Sequence, residues 1–161
     1  DDYSSWPLFA SFLLLIGAFV GACSGSVGGG IKSWRFMIMI NHSMINLKKM
    51  IHPHGVFPLK LGPNKVVEND VAASVWGFFS IYVISFMILL VLMLFTGMDF
   101  LSAFSAIGAC LNNLGPGLGM VADSYSSVSD FGKVILSFAM ILGRLEIFTL
   151  LVILIPSFWS D

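Results

Sequence analysis

The sequence predicts an all-α integral membrane protein, built as a helix–pore-loop–helix repeat and carrying one broken transmembrane helix. Three observations predict it. Hydrophobic residues make up 57% of the 161 residues and charged residues 11%, with a mean hydropathy of +0.93. A soluble domain carries about 25% charged residues, so there are too few charges here to coat a globule. Residues 3–31 and 71–98 contain no charge at all, and apolar runs longer than about 18 residues read as membrane spans. Third, each of two glycine-rich stretches interrupts an apolar segment rather than following one. This composition excludes a disordered chain, a nucleic-acid-binding protein and a secreted disulfide scaffold. Cys23 and Cys110 both lie in apolar stretches, where small buried thiols are expected rather than a disulfide.

The chain reads as a piece that begins just outside a membrane, with Trp6-Pro7 at the interface opening a helix. No basic segment precedes the apolar run, which argues against a signal peptide. Residues 8–22 are helical in composition but cover only about 22 Å of a roughly 30 Å core. They run into Cys23-Ser24-Gly25-Ser26-Val27-Gly28-Gly29-Gly30, which cannot be stable helix. Helix resumes over about residues 31–45. Residues 32–70 form a hydrophilic connection with turn signals at His52-Pro53-His54-Gly55 and Leu61-Gly62-Pro63-Asn64. It holds Lys32, Arg35, Lys48, Lys49, Lys60 and Lys65 against Glu68 and Asp70, a net +4, while the rest of the chain carries −5. The positive-inside rule makes this connection cytoplasmic. The apolar beat of Trp34, Met37, Ile38 and Ile45 suggests a helix near the membrane surface.

Residues 71–94 are a 24-residue span running outward, and Asp99 is placed to cap a following helix. That helix, 100–111, has 12 residues and reaches about 18 Å, half a membrane. Asn112-Asn113-Leu114-Gly115-Pro116-Gly117-Leu118-Gly119 is neither helix nor strand in character. Residues 123–130 read as a serine-rich outer loop, and 131–155 as a 25-residue span returning inward, with Trp159 at the far interface.

Irregular backbone at membrane depth must be buried in protein or line a watery cavity. A half-helix followed by an extended loop is a reentrant pore loop, whose carbonyls replace the hydration shell of a cation. The C-terminal end of the half-helix carries the negative end of its dipole to the membrane centre. No carboxylate lies in the loop, so a dehydrated monovalent ion suits it better than Mg²⁺ or Ca²⁺. The competing reading is a plain extracellular hairpin, which would waste twelve apolar residues outside a membrane.

Other constellations carry less. Residues 25–33 superficially resemble a phosphate-binding loop, but Ile31 precedes Lys32 and no strand leads in. Gly17, Gly21, Gly25 and Gly29 recur every fourth residue and read as a smooth face for close helix packing. His42, His52 and His54 read as part of a solvated cytoplasmic loop rather than a metal site. No nucleophile–base pair is visible, so no enzyme is expected. Arg144 lies about thirteen residues into its span, too deep to snorkel easily. Such charges face a cavity or a partner, so it is expected either to hold helix-end carbonyls or to form a positive barrier under the pore loop.

The stretch Gly21-Ala22-Cys23-Ser24-Gly25-Ser26-Val27-Gly28-Gly29-Gly30-Ile31-Lys32 resembles the glycine-rich stretch of the Trk/Ktr/HKT superfamily of K⁺ transporters, in its TrkH branch. His52-Pro53 and Gly115-Pro116-Gly117 fall where that family carries similar pieces, and Gly143-Arg144-Leu145-Glu146 resembles its last helix. Val27 stands where the family usually has threonine and Ala22 where glycine is common. The resemblance covers essentially the whole chain and implies four fused repeats around one pore, with a third filter ahead of Asp1. Residues 1–51 would be the second helix of repeat three with its intramembrane loop at 24–30, and 52–70 the cytoplasmic connection. Residues 71–161 would be repeat four: span 71–95, pore helix 100–111, filter 112–119, span 131–156. The resemblance implies a K⁺ filter at Asn112, Asn113, Leu114 and Gly115, with Asn113 and Leu114 offering backbone carbonyls to the ion. It implies a gate of Ser24, Gly25, Ser26, Gly28, Gly29 and Gly30 together with Arg144. It further implies K⁺ uptake across the bacterial inner membrane, channel-like or as H⁺ or Na⁺ symport. K⁺ is then the transported ion, with no organic cofactor. Membrane lipid, a homodimer and a cytoplasmic TrkA-type nucleotide-binding subunit are the implied partners. The alternatives are a secondary transporter holding a small anion at its broken helix and a non-transporting membrane anchor.

Overall fold

The computed structural model describes residues 7–21, 30–53, 55, 57–58, 60–61, 65–67 and 69–145. Five α-helices carry the fold: α1 (Leu8–Val20), α2 (Ser33–Ile51), α3 (Asn69–Phe95), α4 (Phe100–Leu111) and α5 (Asp130–Arg144). The expected membrane helices are all represented, and α4 has the expected limits. α1 ends two residues before the expected 22, and α2 runs six residues past the expected 45. The connection between α2 and α3 holds an element the sequence did not signal, an antiparallel pair of two-residue strands, β1 (Lys60–Leu61) and β2 (Lys65–Val66). A short 3-10 turn at Gly119–Val121 closes the loop after α4. Residues 146–161, including Glu146, Trp159 and the rest of the expected last span, lie outside the described residues.

α4 is the centre. Every residue from Ser102 to Leu111 except Phe104 is buried, and α1, α3 and α5 all pack on it. Lipid tails are as apolar as leucine, so apolar burial alone does not hold membrane helices together; close packing of small residues does. α4 supplies them in Ala103, Ala106, Gly108 and Ala109. Leu15 and Phe19 of α1 lie over Gly108, where an added Cβ would stand 3.2 Å from the Phe19 ring. Phe19, Phe86 and Phe104 join α1, α3 and α4 in an aromatic cluster, with ring centroids 5.5 Å (Phe19–Phe86) and 5.2 Å (Phe86–Phe104) apart in edge-on geometry. Such pairs contribute about 0.5–1.5 kcal/mol each beyond their burial.

α3 turns one stripe inward: Val75, Phe78, Tyr82, Phe86, Leu89 and Met93 are buried at helical spacing. Its other face leaves Val83, Ile84, Met87, Ile88, Val91 and Leu92 exposed. Residues 70–95 of this helix are long and apolar enough to cross a membrane, and a bare apolar face of this size is costly in water. α2 is tied to α3 at two points. The Arg35 guanidinium lies 4.2 Å from the Phe78 ring centroid, and Trp76 Nε1 donates to His42 Nδ1 at 2.9 Å. His42 is therefore a half-buried helix residue bonded to α3, not part of a solvated loop. His52 is exposed at the end of α2, and His54 lies outside the described residues.

Of the expected glycine face, Gly25 and Gly29 lie outside the described residues, Gly21 lies close to Gly30, and Gly17 is not at a close contact. Gly17 is exposed and an added Cβ there meets nothing within 4 Å, while Gly21 ends the helix at φ 76°. The tight approach is at Gly143 of α5, whose Cβ would overlap the Leu111 carbonyl and stand 2.8 Å from Asn113 Nδ2. α5 reaches the end of α4 only because this position has no side chain. In the full-length protein, Gly143→Ala should therefore sharply lower the yield of assembled protein in size-exclusion chromatography, while Gly17→Ala should be tolerated. Normal assembly of Gly143→Ala would show that the α4–α5 approach is not as close as described.

Candidate pore-loop site

The site begins at the N-terminus of α4. Asp99 caps it, its carboxylate accepting from the Ser102 N–H at 3.1 Å. The Ser102 hydroxyl, and then its N–H, hold the Asp99 carboxyl below the usual carboxylate range. A lowered pKa means the cap is fully engaged above the ordinary carboxylate value and fades as pH falls through the lowered one.

At its other end α4 stops in a defined way. Leu114 N–H reaches back to Ala109 O at 2.8 Å, and Asn113 N–H to Cys110 O at 3.1 Å. Asn113 sits at φ 54°. This is a Schellman termination, with asparagine in the left-handed position that glycine most often takes. The expected filter residues Asn112 and Asn113 are thus also the stop signal of the pore helix. Asn112 is buried, with its side chain donating to Gly108 O at 2.8 Å and accepting from the Tyr82 hydroxyl of α3 at 2.8 Å.

The chain then turns back along its own helix. Gly115 adopts φ 97°, and a Cβ built there meets nothing within 4 Å, so it borders open space. Leu114, Gly115 and Pro116 are exposed, and Gly117 and Leu118 are buried again. Two serines of α4 receive the returning backbone. Ser105 Oγ accepts from Leu118 N–H at 2.8 Å and lies 3.1 Å from Leu118 O. Ser102 Oγ accepts from Met120 N–H at 3.0 Å. From the following loop, the Tyr125 hydroxyl donates to Gly115 O at 2.7 Å. A helix runs in, an irregular hydrogen-bonded segment runs out, and the turn between them opens at Leu114–Pro116.

The expected gate residues are only partly placed. Ser24, Gly25, Ser26, Gly28 and Gly29 lie outside the described residues, as do Cys23 and Val27. Gly30 is described. It adopts φ 86°, and its missing Cβ would stand 3.1 Å from Asn112 Oδ1. Gly30 thus brings the end of the glycine stretch against the first expected filter residue. Arg144 is exposed in this chain taken alone. The reason is helical geometry: Gly143 faces the end of α4, and the next residue points about 100° round the helix. Gly30 and Gly143, the neighbour of Arg144, both meet α4 at its C-terminal end.

Sequence reasoning missed Ser102, Ser105, Tyr82 and Tyr125. The three-residue spacing of the two serines on one face of an otherwise apolar helix was the available signal, as were tyrosine hydroxyls in apolar surroundings. Cys110 is buried and free. Among the described residues no cluster of His, Cys, Asp or Glu could hold a metal ion.

A family model described as TrkH, cation transport protein, matches residues 1–160. The chain belongs to the TrkH family. It is 45% identical over all of its 161 residues to the Trk system potassium uptake protein TrkH of Escherichia coli K12. It is 47% identical over 159 residues to the protein of that name from Vibrio parahaemolyticus, and 38% identical to the Trk system potassium uptake protein TrkG of E. coli K12. It covers 33% of the length of each of these relatives. The crystal structure of the potassium transporter TrkH from V. parahaemolyticus superposes with a TM-score of 0.89 at 46% identity, over 99% of this chain and 34% of that one. The chain therefore spans about a third of the TrkH proteins it matches, and over that third it shares their helical membrane fold.

In the full-length TrkH-family protein, Ser105→Ala would strip both polar groups of Leu118 of their buried partner. Leaving a buried amide unsatisfied costs about 1–3 kcal/mol. The thermal midpoint of the detergent-solubilised protein should fall clearly, while Ser74→Ala, on the exposed face of α3, should leave it unchanged. Equal midpoints for the two would mean that Ser105 does not hold the loop.

Proposed function

We propose that this chain forms the last part of a K⁺ uptake pore in the bacterial inner membrane, contributing repeat four and the second helix of repeat three. The observation that supports this best is the course of residues 112–118. The backbone leaves a buried helix C-terminus, opens at Leu114–Pro116 and returns along the same helix. In this reading Asn112, Asn113, Leu114 and Gly115 are one quarter of the filter, and carbonyls of Asn113 and Leu114 coordinate K⁺. A helix C-terminus favours a cation, whereas an anion site would call for a helix N-terminus. This observation favours the cation reading over the secondary transporter of a small anion.

The gate in this reading is the loop of Ser24, Gly25, Ser26, Gly28, Gly29 and Gly30, working with Arg144. Gly30 against Asn112 and Gly143 against Leu111 support a gate adjoining the inner end of the filter. The basic connection 32–70 faces the cytoplasm. The relatives' place in a Trk system supports a partner, which we assign as a cytoplasmic TrkA-type nucleotide-binding subunit acting on a homodimer. Transport is of K⁺, without chemistry on a substrate and without an organic cofactor.

Three outcomes are expected. Gly115→Ser in the full-length protein should lower the preference for K⁺ over Na⁺ while assembly holds, because its backbone is in the left-handed region and its missing side chain borders open space. Unchanged selectivity in ⁸⁶Rb⁺ and ²²Na⁺ flux would move the filter elsewhere. Residues 1–161 alone, reconstituted in liposomes, should give no Rb⁺ flux, since one pore loop supplies a quarter of a filter. Selective flux from them would overturn the four-repeat reading. Arg144→Ala should raise K⁺ flux and Arg144→Lys should be intermediate, since lysine keeps the charge but loses the fork. Assembled Arg144→Ala protein with flux at or below that of the parent would remove Arg144 from the gate.

A further inference from the structure

Gly115 is needed because the turn requires φ 97°, and glycine brings its own difficulty. With no Cβ, the peptide planes on either side of it rotate easily. A carbonyl free to swing is a poor ion ligand, because an ion is selected by carbonyls held at set positions. On the C-terminal side Pro116 removes part of this freedom, since its ring holds φ near −65° and it offers no N–H. The carbonyl of Gly115 itself remains, and the structure supplies one bond to it from outside α4.

That bond comes from Tyr125, which lies ten residues on in the loop between the 3-10 turn and α5. Its hydroxyl donates to Gly115 O at 2.7 Å. The phenol is itself positioned. Cys110 Sγ of α4 donates towards the Tyr125 oxygen at 3.9 Å, which leaves the phenol proton directed at Gly115. Val128 N–H bonds the Tyr125 carbonyl at 3.2 Å, turning the chain into α5. Tyr125 also lines an open groove of about 380 Å³ between the pore loop and α5, together with Asn113, Leu114, Gly115, Leu136 and Met140. Across this groove the Tyr125 hydroxyl is a polar tie to the Gly115 carbonyl.

We propose that Tyr125 is a positioning residue for ion selection: its hydroxyl fixes the Gly115–Pro116 peptide plane and so sets where the neighbouring carbonyls stand in the filter. Tyr125 touches no ion in this scheme and acts through Gly115. The proposal rests on the filter reading of residues 112–115, and it concerns selectivity rather than stability.

The test uses the full-length protein in liposomes, with ⁸⁶Rb⁺ and ²²Na⁺ flux read side by side for Tyr125→Phe, Gly115→Ser and the parent. Tyr125→Phe keeps the ring and removes the hydroxyl. The Rb⁺/Na⁺ flux ratio should fall about two- to ten-fold, the range set by the net worth of one hydrogen bond, with the elution profile unchanged. If Gly115→Ser alters the ratio and Tyr125→Phe does not, the tie is overturned and the filter reading stands. If neither alters it, the filter reading falls and the proposal with it. A second form of the protein guards against a Tyr125→Phe variant that does not assemble. Site-specific 3,5-difluorotyrosine at position 125 keeps ring and hydroxyl in place but acidifies the phenol, and a phenolate cannot donate. The flux ratio of this protein should fall on raising pH over a range where the parent stays constant. A ratio as flat with pH as the parent's would overturn the proposal.

Discussion

The structure depends on one constraint: α4 ends among buried residues, where its backbone polar groups need partners within the chain. The C-terminal turn of any helix leaves carbonyls without partners, and the segment that follows adds amides and carbonyls of its own. In lipid each unsatisfied group costs several kcal/mol. The chain meets the constraint locally and in sequence. Asn113 turns left-handed so that two amides fold back on Ala109 and Cys110. Asn112 spends its amide on Gly108 and its oxygen on Tyr82. Ser105 and Ser102 then receive the amides of Leu118 and Met120.

The helices around α4 are arranged to serve that buried end. Small residues on α4 let α1 and α5 come close, and the absence of a side chain at Gly143 lets α5 lie directly on the Leu111 carbonyl. Dispersion between closely packed atoms wins here over apolar transfer, since the lipid-facing alternative is equally apolar. The exposed apolar face of α3 carries the opposite message. It has no packing partner among the described residues and no need of one in a hydrocarbon surrounding.

Two segments that are far apart in the chain converge at the C-terminal end of α4. Gly30 closes the glycine stretch against Asn112, and Gly143 sets α5, with Arg144 beside it, against Leu111 and Asn113. In the proposed function, this juxtaposition sets the gate beside the filter through contacts to one helix end.

Much of the architecture was legible from residue order. Charge-free runs marked the long span α3, and the twelve-residue length of α4 followed from Asp99 at one end and Asn112-Asn113 at the other. The glycine-rich stretch 112–119 marked the irregular return after α4, while the stretch 24–30 lies, except for Gly30, outside the described residues. These features are local: a run too short to cross, a cap, a breaker. What could not be read locally was which groups meet. The spacing of Ser102 and Ser105 and the hydroxyls of Tyr82 and Tyr125 could mark polar groups in apolar surroundings but not their partners, because a hydroxyl in an apolar helix looks the same whether or not it bonds a distant backbone. The glycine repeat on α1 gave a signal with no packing behind it at Gly17, while Gly143, noted only as part of a family resemblance, proved to be a close contact. His42 read as solvated and lies bonded to Trp76. The sequence by itself determined that α4 stops after twelve residues and that the backbone beyond it is not helix, because helix length and glycine content are properties of a single segment. Only the tertiary structure decided which side chains satisfy that broken backbone, because hydrogen bonds across 13 or 18 residues depend on how the chain returns.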